Sequence, residues 1–198
     1  METPVRRKYI PPQRRRQILA AAMELFSHSG YHGVTVDAIA QQAGISKGNL
    51  YWHFKSKREI LQLLLHEIVE RLFLPPQEVL ESDAPPREKL RAITRRLLDT
   101  AEANPEAVSL MLQMAAQSEL REIASSHYSF WMRHYVNLIA PLFASLGEDD
   151  PERIAMLYAA TIDGLMALVV LGPRIYDKEK LMAALEQKFL SSTGGKDV

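Results

Sequence analysis

Two tripeptides, Asn104-Pro105-Glu106 and Asp150-Pro151-Glu152, each set a residue able to cap free amides before a proline and an acid. Proline suits the first helical position and an acid suits the positive end of the helix dipole, so each triplet starts a helix. Comparable signals recur along the whole chain. Thr35 precedes Val36 and Asp37, Ser46 precedes Lys47, and Ser56 stands three residues before Glu59 with the spacing of a capping box. Gly30, Gly44, Gly147 and Gly172-Pro173 supply the stops. Between these marks apolar residues recur three and four apart, as in Ile18, Ala22, Leu25 and Phe26, or Ile60, Leu61, Leu64, Ile68 and Leu72. No stretch alternates with the period of two that a half-buried strand requires. The chain is therefore expected to be all-α, with helices over 12–29, 36–43, 47–53, from 57 onward, 86–103, 105–117, 119–146, 151–171 and 178–191. Pro75, Pro76, Pro85 and Pro86 break the pattern and mark a candidate linker, and the tail from Ser191 to Val198 is expected to fray.

Charge divides the chain more sharply than its zero net value suggests. Residues 1–60 hold ten Lys and Arg against four acids, an excess of +6, which the remaining residues offset with −6. A basic head on an acidic body is suited to meeting a polyanion, because Lys and Arg beside phosphates release condensed counterions; a solvated basic face is the alternative on charge alone. The chain has no cysteine, which excludes disulfides, thiolate zinc ligands and thiol redox switches. Its basic first residues lack the apolar core of a signal peptide. The longest apolar run, 165–171, falls short of the roughly 20 residues a spanning helix needs. A cytoplasmic protein outside the membrane is expected. His127 and His134, seven apart, can share a helix face but lack a third ligand, so no metal site is expected. No glycine-rich phosphate loop, nucleophile elbow or paired acids point to an enzyme or to a cofactor.

The most informative segment is Thr35 to Phe54, TVDAIAQQAGISKGNLYWHF, two short helices joined at Gly44. For one helix to cross another closely, small residues must sit at the crossing, and Ala40 and Ala43 fill that role. Gly44 admits the positive φ of a tight turn, while Ile39, Ile45, Leu50 and Phe54 supply a small core that fixes the crossing angle. The second helix then turns Lys47, Gly48, Asn49, Tyr51, Trp52 and His53 outward. Lys and Asn reach phosphates and base edges, Tyr donates to a phosphate, and a glycine lets the backbone approach a duplex.

The run from Arg14 to Leu61, with its phrases LFSHSGYHGVTVDAIA and GISKGNLYWHFKSKREIL, closely resembles the DNA-binding domain of TetR-type repressors. The resemblance implies an N-terminal three-helix helix-turn-helix domain, residues 1–60 with a basic arm over 1–13. A long helix joins it to a helical effector-binding and dimerisation domain, residues 61–198. It also implies roles. Thr35 and Lys57 would contact phosphate at helix starts, with Ser46 at the head of the second helix. Tyr51 and Trp52 would hold the backbone, Lys47, Gly48 and Asn49 would face the major groove, and His53 would belong to the same DNA-binding surface. The basic residues Arg6 to Arg16 extend the same surface.

In the body, residues 151–171 are apolar almost all round in their second half, as expected of a helix buried from two sides. Ala160, Gly164 and Ala167 form a small-residue stripe, and Leu181, Leu185 and Phe189 give the last helix an apolar seam. The resemblance implies that these two helices pair with those of a second copy in a four-helix bundle; an intramolecular core is the alternative. Met111, Met114, Tyr128, Trp131, Met132, Tyr135, Tyr158 and Met166 cluster between residues 111 and 166. Residue by residue such a group reads as core, and it is the resemblance that implies a pocket for a small, largely apolar effector. Asp163 is the one charge there, able to meet a ligand, another helix or the dimer seam. Together these readings describe a ligand-responsive repressor that binds a palindromic double-stranded operator as a homodimer and is released by its effector.

Overall fold

The computed structural model describes residues 11–190, and among them every regular element is an α-helix. In chain order these are α1 (Pro12–Gly33), α2 (Val36–Gln42), α3 (Lys47–His53), α4 (Lys57–Phe73), α5 (Gln77–Glu81), α6 (Pro86–Ala103), α7 (Pro105–Ala116), α8 (Ser118–Ser145), α9 (Pro151–Leu171) and α10 (Lys178–Phe189). The all-α expectation holds. The short α5 was not expected: Pro75 and Pro76 end α4 and Pro85 and Pro86 open α6, but Gln77 to Glu81 contain no helix breaker and close a single turn between them. Arg6, Arg7 and Lys8 of the arm, and the tail 191–198, lie outside the described residues.

The caps explain where most helices begin. The hydroxyls of Thr35, Ser46 and Ser56 accept from the amides of Ala38, Asn49 and Glu59, and the carboxylates of Asp150 and Asp177 accept from those of Arg153 and Lys180. The Glu59 carboxylate reaches back to the Lys55 amide at 2.6 Å, one residue before the partner a regular capping box uses. Asn104 departs from expectation. Its side-chain amide donates to the Thr100 carbonyl at 2.7 Å and leaves α7 without a side-chain cap.

Helices α2 and α3 cross over Ile39, Ala40, Leu50 and Phe54, all buried, with Gly44 at φ 65° in the turn. Their support is α1, which packs on α2, on α4 and on α7 of the body. Arg15 on α1 adds an ion pair to Glu67 on α4 at 2.8 Å. In the body, α9 packs against α6, α7, α8 and α10. Tyr158 on α9 is the hub, fully buried between the rings of Phe143 and Phe189, with its hydroxyl hydrogen-bonded to Thr94. A charged ladder fastens α10 to α6: Arg91 to Glu186, Arg95 to Glu179, and Lys178 to both Asp99 and Glu102.

Helix α9 revises one expectation. Counted as a whole helix it is long and apolar enough to cross a membrane, with a mean hydropathy of 2.1, since Thr161, Asp163 and Gly164 interrupt the run without making it polar. Only 28% of that apolar window is buried inside the protomer, so much of its apolar surface faces outward.

Candidate functional site

Helix α3 presents a chemically rich outer face. Lys47, Gly48 and Asn49 are exposed, as are Tyr51 and the 63% exposed Trp52, while Leu50 between them is fully buried and anchors the helix from beneath. A Cβ built at Gly48 would meet nothing within 4 Å, so the fold has no need of a glycine there. The Lys47 ammonium lies 2.7 Å from the Asp37 carboxylate on α2, and the hydrogen bond and charge of Asp37 raise its pKa. The cation is thus held in place along the groove between α2 and α3, in an exposed pair that any stronger anion can displace. The hydroxyls of Thr35 and Ser46 cap helices while remaining exposed, and each still has a proton to donate outward.

Two residues of this surface lie otherwise than expected. His53 is half-buried, and its Nδ1 is shut from solvent because the last turn of α3 rolls it toward the core. Lys57 turns inward. Its ammonium donates to the carbonyls of Tyr31 and Val34, each at 2.7 Å, and sits 4.3 Å from the centre of the Tyr31 ring. Burial lowers its pKa. Lys57 therefore clamps the end of α1 to the start of α4, tying the α2–α3 unit to its support.

The body holds an open pocket whose empty space, solvent at its mouth included, is about 370 Å³. Its walls are Val69 from α4, Leu97 from α6, Met111 from α7, the α8 residues Tyr128, Trp131, Met132 and Tyr135, and Ala159, Ile162 and Asp163 from α9. Six of the nine residues expected at a pocket line it. Met114, Tyr158 and Met166 do not, being packed at 1%, 0% and 3% exposure in the solid core one turn away. Val69, Leu97, Ala159 and Ile162 were missed: as ordinary core-type residues on separate helices, they carry no local signal.

Polar groups in the cavity are few. The Tyr128 hydroxyl donates to the Asp163 carboxylate at 2.5 Å across the gap between α8 and α9. Burial pushes the Asp163 carboxyl up to about 6, partly offset by that hydrogen bond. The Tyr135 hydroxyl is buried and has no hydrogen-bond partner among the described residues, and burial drives its pKa well up. The Trp131 ring forms part of one wall, with the rings of Phe130 and His134 edge-on to it and that of His66 tilted at 45°, their centres 5.3–5.8 Å away.

A third surface lies on α9, where Leu157, Ala160, Thr161, Gly164 and Leu171 are exposed at helical spacing, beside the 42% exposed Met156. Of the residues expected at a dimer seam, Ala160 and Gly164 are exposed and Ala167 is half-buried. The α10 residues are placed differently within one chain. Leu185 is buried in the chain's own core, while the half-buried Phe189 meets the Tyr158 ring edge-on and the half-buried Leu181 packs partly against the same core, on the side that the ladder to α6 holds inward. The outward face of α10 carries Ala183, Ala184, Gln187 and Lys188 instead. No cluster of three or more potential metal ligands occurs among the described residues.

Comparison with known proteins places both halves of the chain. Residues 18–64 match the family model described as bacterial regulatory proteins, tetR family, and residues 86–191 match that of the BetI-type transcriptional repressor, C-terminal. The chain is 36% identical over 101 residues to the transcriptional activator FasR of Mycolicibacterium smegmatis, covering 51% of this chain and 46% of that protein. It is 31% identical over 155 residues to the transcriptional regulator BetI of Agrobacterium fabrum, covering 78% and 75%. The match thus spans about half of the first relative and three quarters of the second. Among solved structures, the regulator FadR of Bacillus subtilis in complex with stearoyl-CoA superposes with a TM-score of 0.70 at 25% identity, covering 89% of this chain and 98% of that one. A regulator from Saccharomonospora viridis in complex with choline gives 0.67 at 27% identity, covering 89% and 95%.

Proposed function

The chain belongs to the TetR family of bacterial regulatory proteins, and from that premise we propose that it is a ligand-responsive repressor acting as a homodimer on a palindromic operator. Residues 1–60 are the DNA-binding head and 61–198 the sensing and dimerising body. Lys47 and Asn49 read base edges, Gly48 lets the backbone of α3 close on the major groove, and Thr35, Ser46, Tyr51 and Trp52 hold phosphates. Two heads related by a dimer axis enter successive major grooves about 34–36 Å apart, which requires an operator with matching two-fold symmetry. The exposed apolar face of α9 supports the pairing: a lone protomer leaves Leu157 and Leu171 more than half exposed.

One observation carries the ligand response. The cavity is walled in part by Val69 of α4 and Met111 of α7, and both of those helices pack on α1, which carries α2 and α3. A molecule that enters must move these walls, and each wall is attached to the head. Because the half-site separation is fixed, a small shift of either helix spoils the fit of two heads on one operator. The structures holding stearoyl-CoA and choline show that relatives of this fold take up small molecules, and an effector with a substantial apolar part fits the aromatic and methionine walls here. A coupling of about 1–3 kcal/mol would weaken operator binding roughly 5- to 150-fold, and operator would weaken the ligand by the same factor. Selecting operator from genomic fragments and titrating hydrophobic ligands with and without it tests the reading. Ligands that bind equally well in both states would overturn it.

A further inference from the structure

One acid of the basic head stands apart from the others. Glu24 accepts from the Gln42 side chain at 2.8 Å, and Glu59 takes the Lys55 amide at the start of α4, so both fasten the fold. Asp37, in the first turn of α2, suits the helix dipole there, but the Thr35 hydroxyl already caps that helix. The Asp37 carboxylate turns instead to the Lys47 ammonium on α3, 2.7 Å away. Both side chains stay more than half exposed, at 60% for Lys47 and 56% for Asp37. The same ammonium lies 6.0 Å from the centre of the Tyr51 ring, one turn further along α3. A flexible four-carbon stem is thus held in one position, between a carboxylate and an aromatic face.

An exposed ion pair adds little to stability, and a carboxylate on a surface that meets a polyanion opposes the encounter. The opposition depends on the sequence met. An ammonium has three donors, so Lys47 can leave one on Asp37 and direct the others to acceptors on a base edge, such as O6 and N7 of guanine. To bind a phosphate of arbitrary DNA it must swing away, and the carboxylate is then left beside the phosphates without its counter-charge. Resting on the reading of α3 as the helix that enters the major groove, we propose that Asp37 is a specificity-determining residue. It aims Lys47 at a base edge and disfavours its use as a phosphate clamp, so it lowers affinity for arbitrary DNA more than for the operator.

The test compares full-length wild type and Asp37→Asn on the selected operator and on a scrambled duplex of equal length, across a salt series. The variant is expected to bind the scrambled duplex about tenfold tighter, with a salt dependence steeper by close to one counterion per head, while operator affinity changes by less than about threefold. Asp37→Glu, which keeps the charge, should retain most of the preference for operator. In a Lys47→Ala background Asp37→Asn should leave the preference unchanged, because the carboxylate acts through Lys47. A role confined to the dipole of α2 would lower the melting temperature and weaken binding to both duplexes together; that result would overturn the proposal, as would an unchanged preference in a folded Asp37→Asn variant. Asp37→Ser removes the same charge and gives the same readings if Asp37→Asn fails to fold. A wild type that binds both duplexes alike removes the reading of α3 and this proposal with it. A wild type that prefers the operator, beside a variant that prefers it equally, removes only the role of Asp37.

Discussion

The hydroxyl of Tyr128 on α8, itself 42% exposed, and the carboxylate of Asp163 on α9 meet at 2.5 Å, joining the two helices through the only charged group that lines the cavity among the described residues. The carboxylate gains one hydrogen bond there and loses most of its water, and the loss is the larger effect, since its pKa rises to about 6.

Replacing Asp163 should therefore stabilise the free protein in a pH-dependent way. Tyr128 and Tyr135 face the carboxyl from α8, and His66 and His134 lie beyond Trp131. With its folded pKa raised to about 6 from 3.8, Asp163 favours the folded state fully below about pH 4, and that contribution is lost as pH rises through 6. That rise corresponds to about 2–3 kcal/mol. Asp163→Asn is expected to melt about 5–10 °C above the wild type at pH 8 and level with it near pH 4. A variant that melts below the wild type at pH 8 would show the charge to be compensated.

Lys57 should act on the fold of the head. Its ammonium donates to the carbonyls of Tyr31 and Val34 and lies over the Tyr31 ring, so Lys57→Met takes this donor from the Val34 carbonyl and leaves the Tyr31 carbonyl with the Val34 amide at 3.4 Å. A loss of about 1–3 kcal/mol is expected, with earlier hydrogen exchange at the end of α1. Unchanged stability with uniformly weaker DNA binding would assign Lys57 to the phosphates instead.

Gly48 should give effects of opposite sign. The free protein has room for a Cβ at this helical position, so Gly48→Ala is expected to stabilise α3 by up to about 1 kcal/mol. The same methyl would stand between the α3 backbone and a duplex, so operator affinity should fall. Thermal melts and operator titrations of one preparation check both, and unchanged affinity would remove the close approach.

Gly164 lies exposed on α9 with nothing within 4 Å of a Cβ, between Ala160 and Leu168. Gly164→Leu should leave the protomer folded and overpack a facing helix, a cost of about 1–3 kcal/mol at each of the two symmetric copies. Light scattering is expected to show a dimer for the wild type and a shift toward monomer for the variant. A monomeric wild type at micromolar concentration would exclude the α9 pairing.

What could be read from the residues alone divides along physical lines. Helix starts depend on one side chain and the three amides after it, so Thr35, Ser46, Ser56 and Asp150 were legible, and with them the helix-turn-helix. Long flexible side chains were not. Lys57 looks like any surface cation until the carbonyls of Tyr31 and Val34, more than twenty residues away, are brought to it. The rotation of α10 was not legible either, because it is set by ion pairs to α6 some eighty to ninety-five residues away in sequence. The cavity was half legible: aromatic and methionine residues point to one, but whether Tyr128 or Tyr158 faces empty space depends on which helix fills the next layer.

The most direct test of the proposed function is the affinity of the purified protein for its selected operator and for a scrambled duplex of equal length, followed by fluorescence anisotropy across a salt series. The wild type is expected to prefer the operator by roughly a thousandfold or more. Lys47→Ala and Asn49→Ala should each lose roughly tenfold or more on the operator while their melting curves stay close to that of the wild type. Operator and scrambled duplex bound equally by the wild type, or both variants binding the operator as tightly as the parent, would contradict the assignment of α3 as the helix that reads DNA.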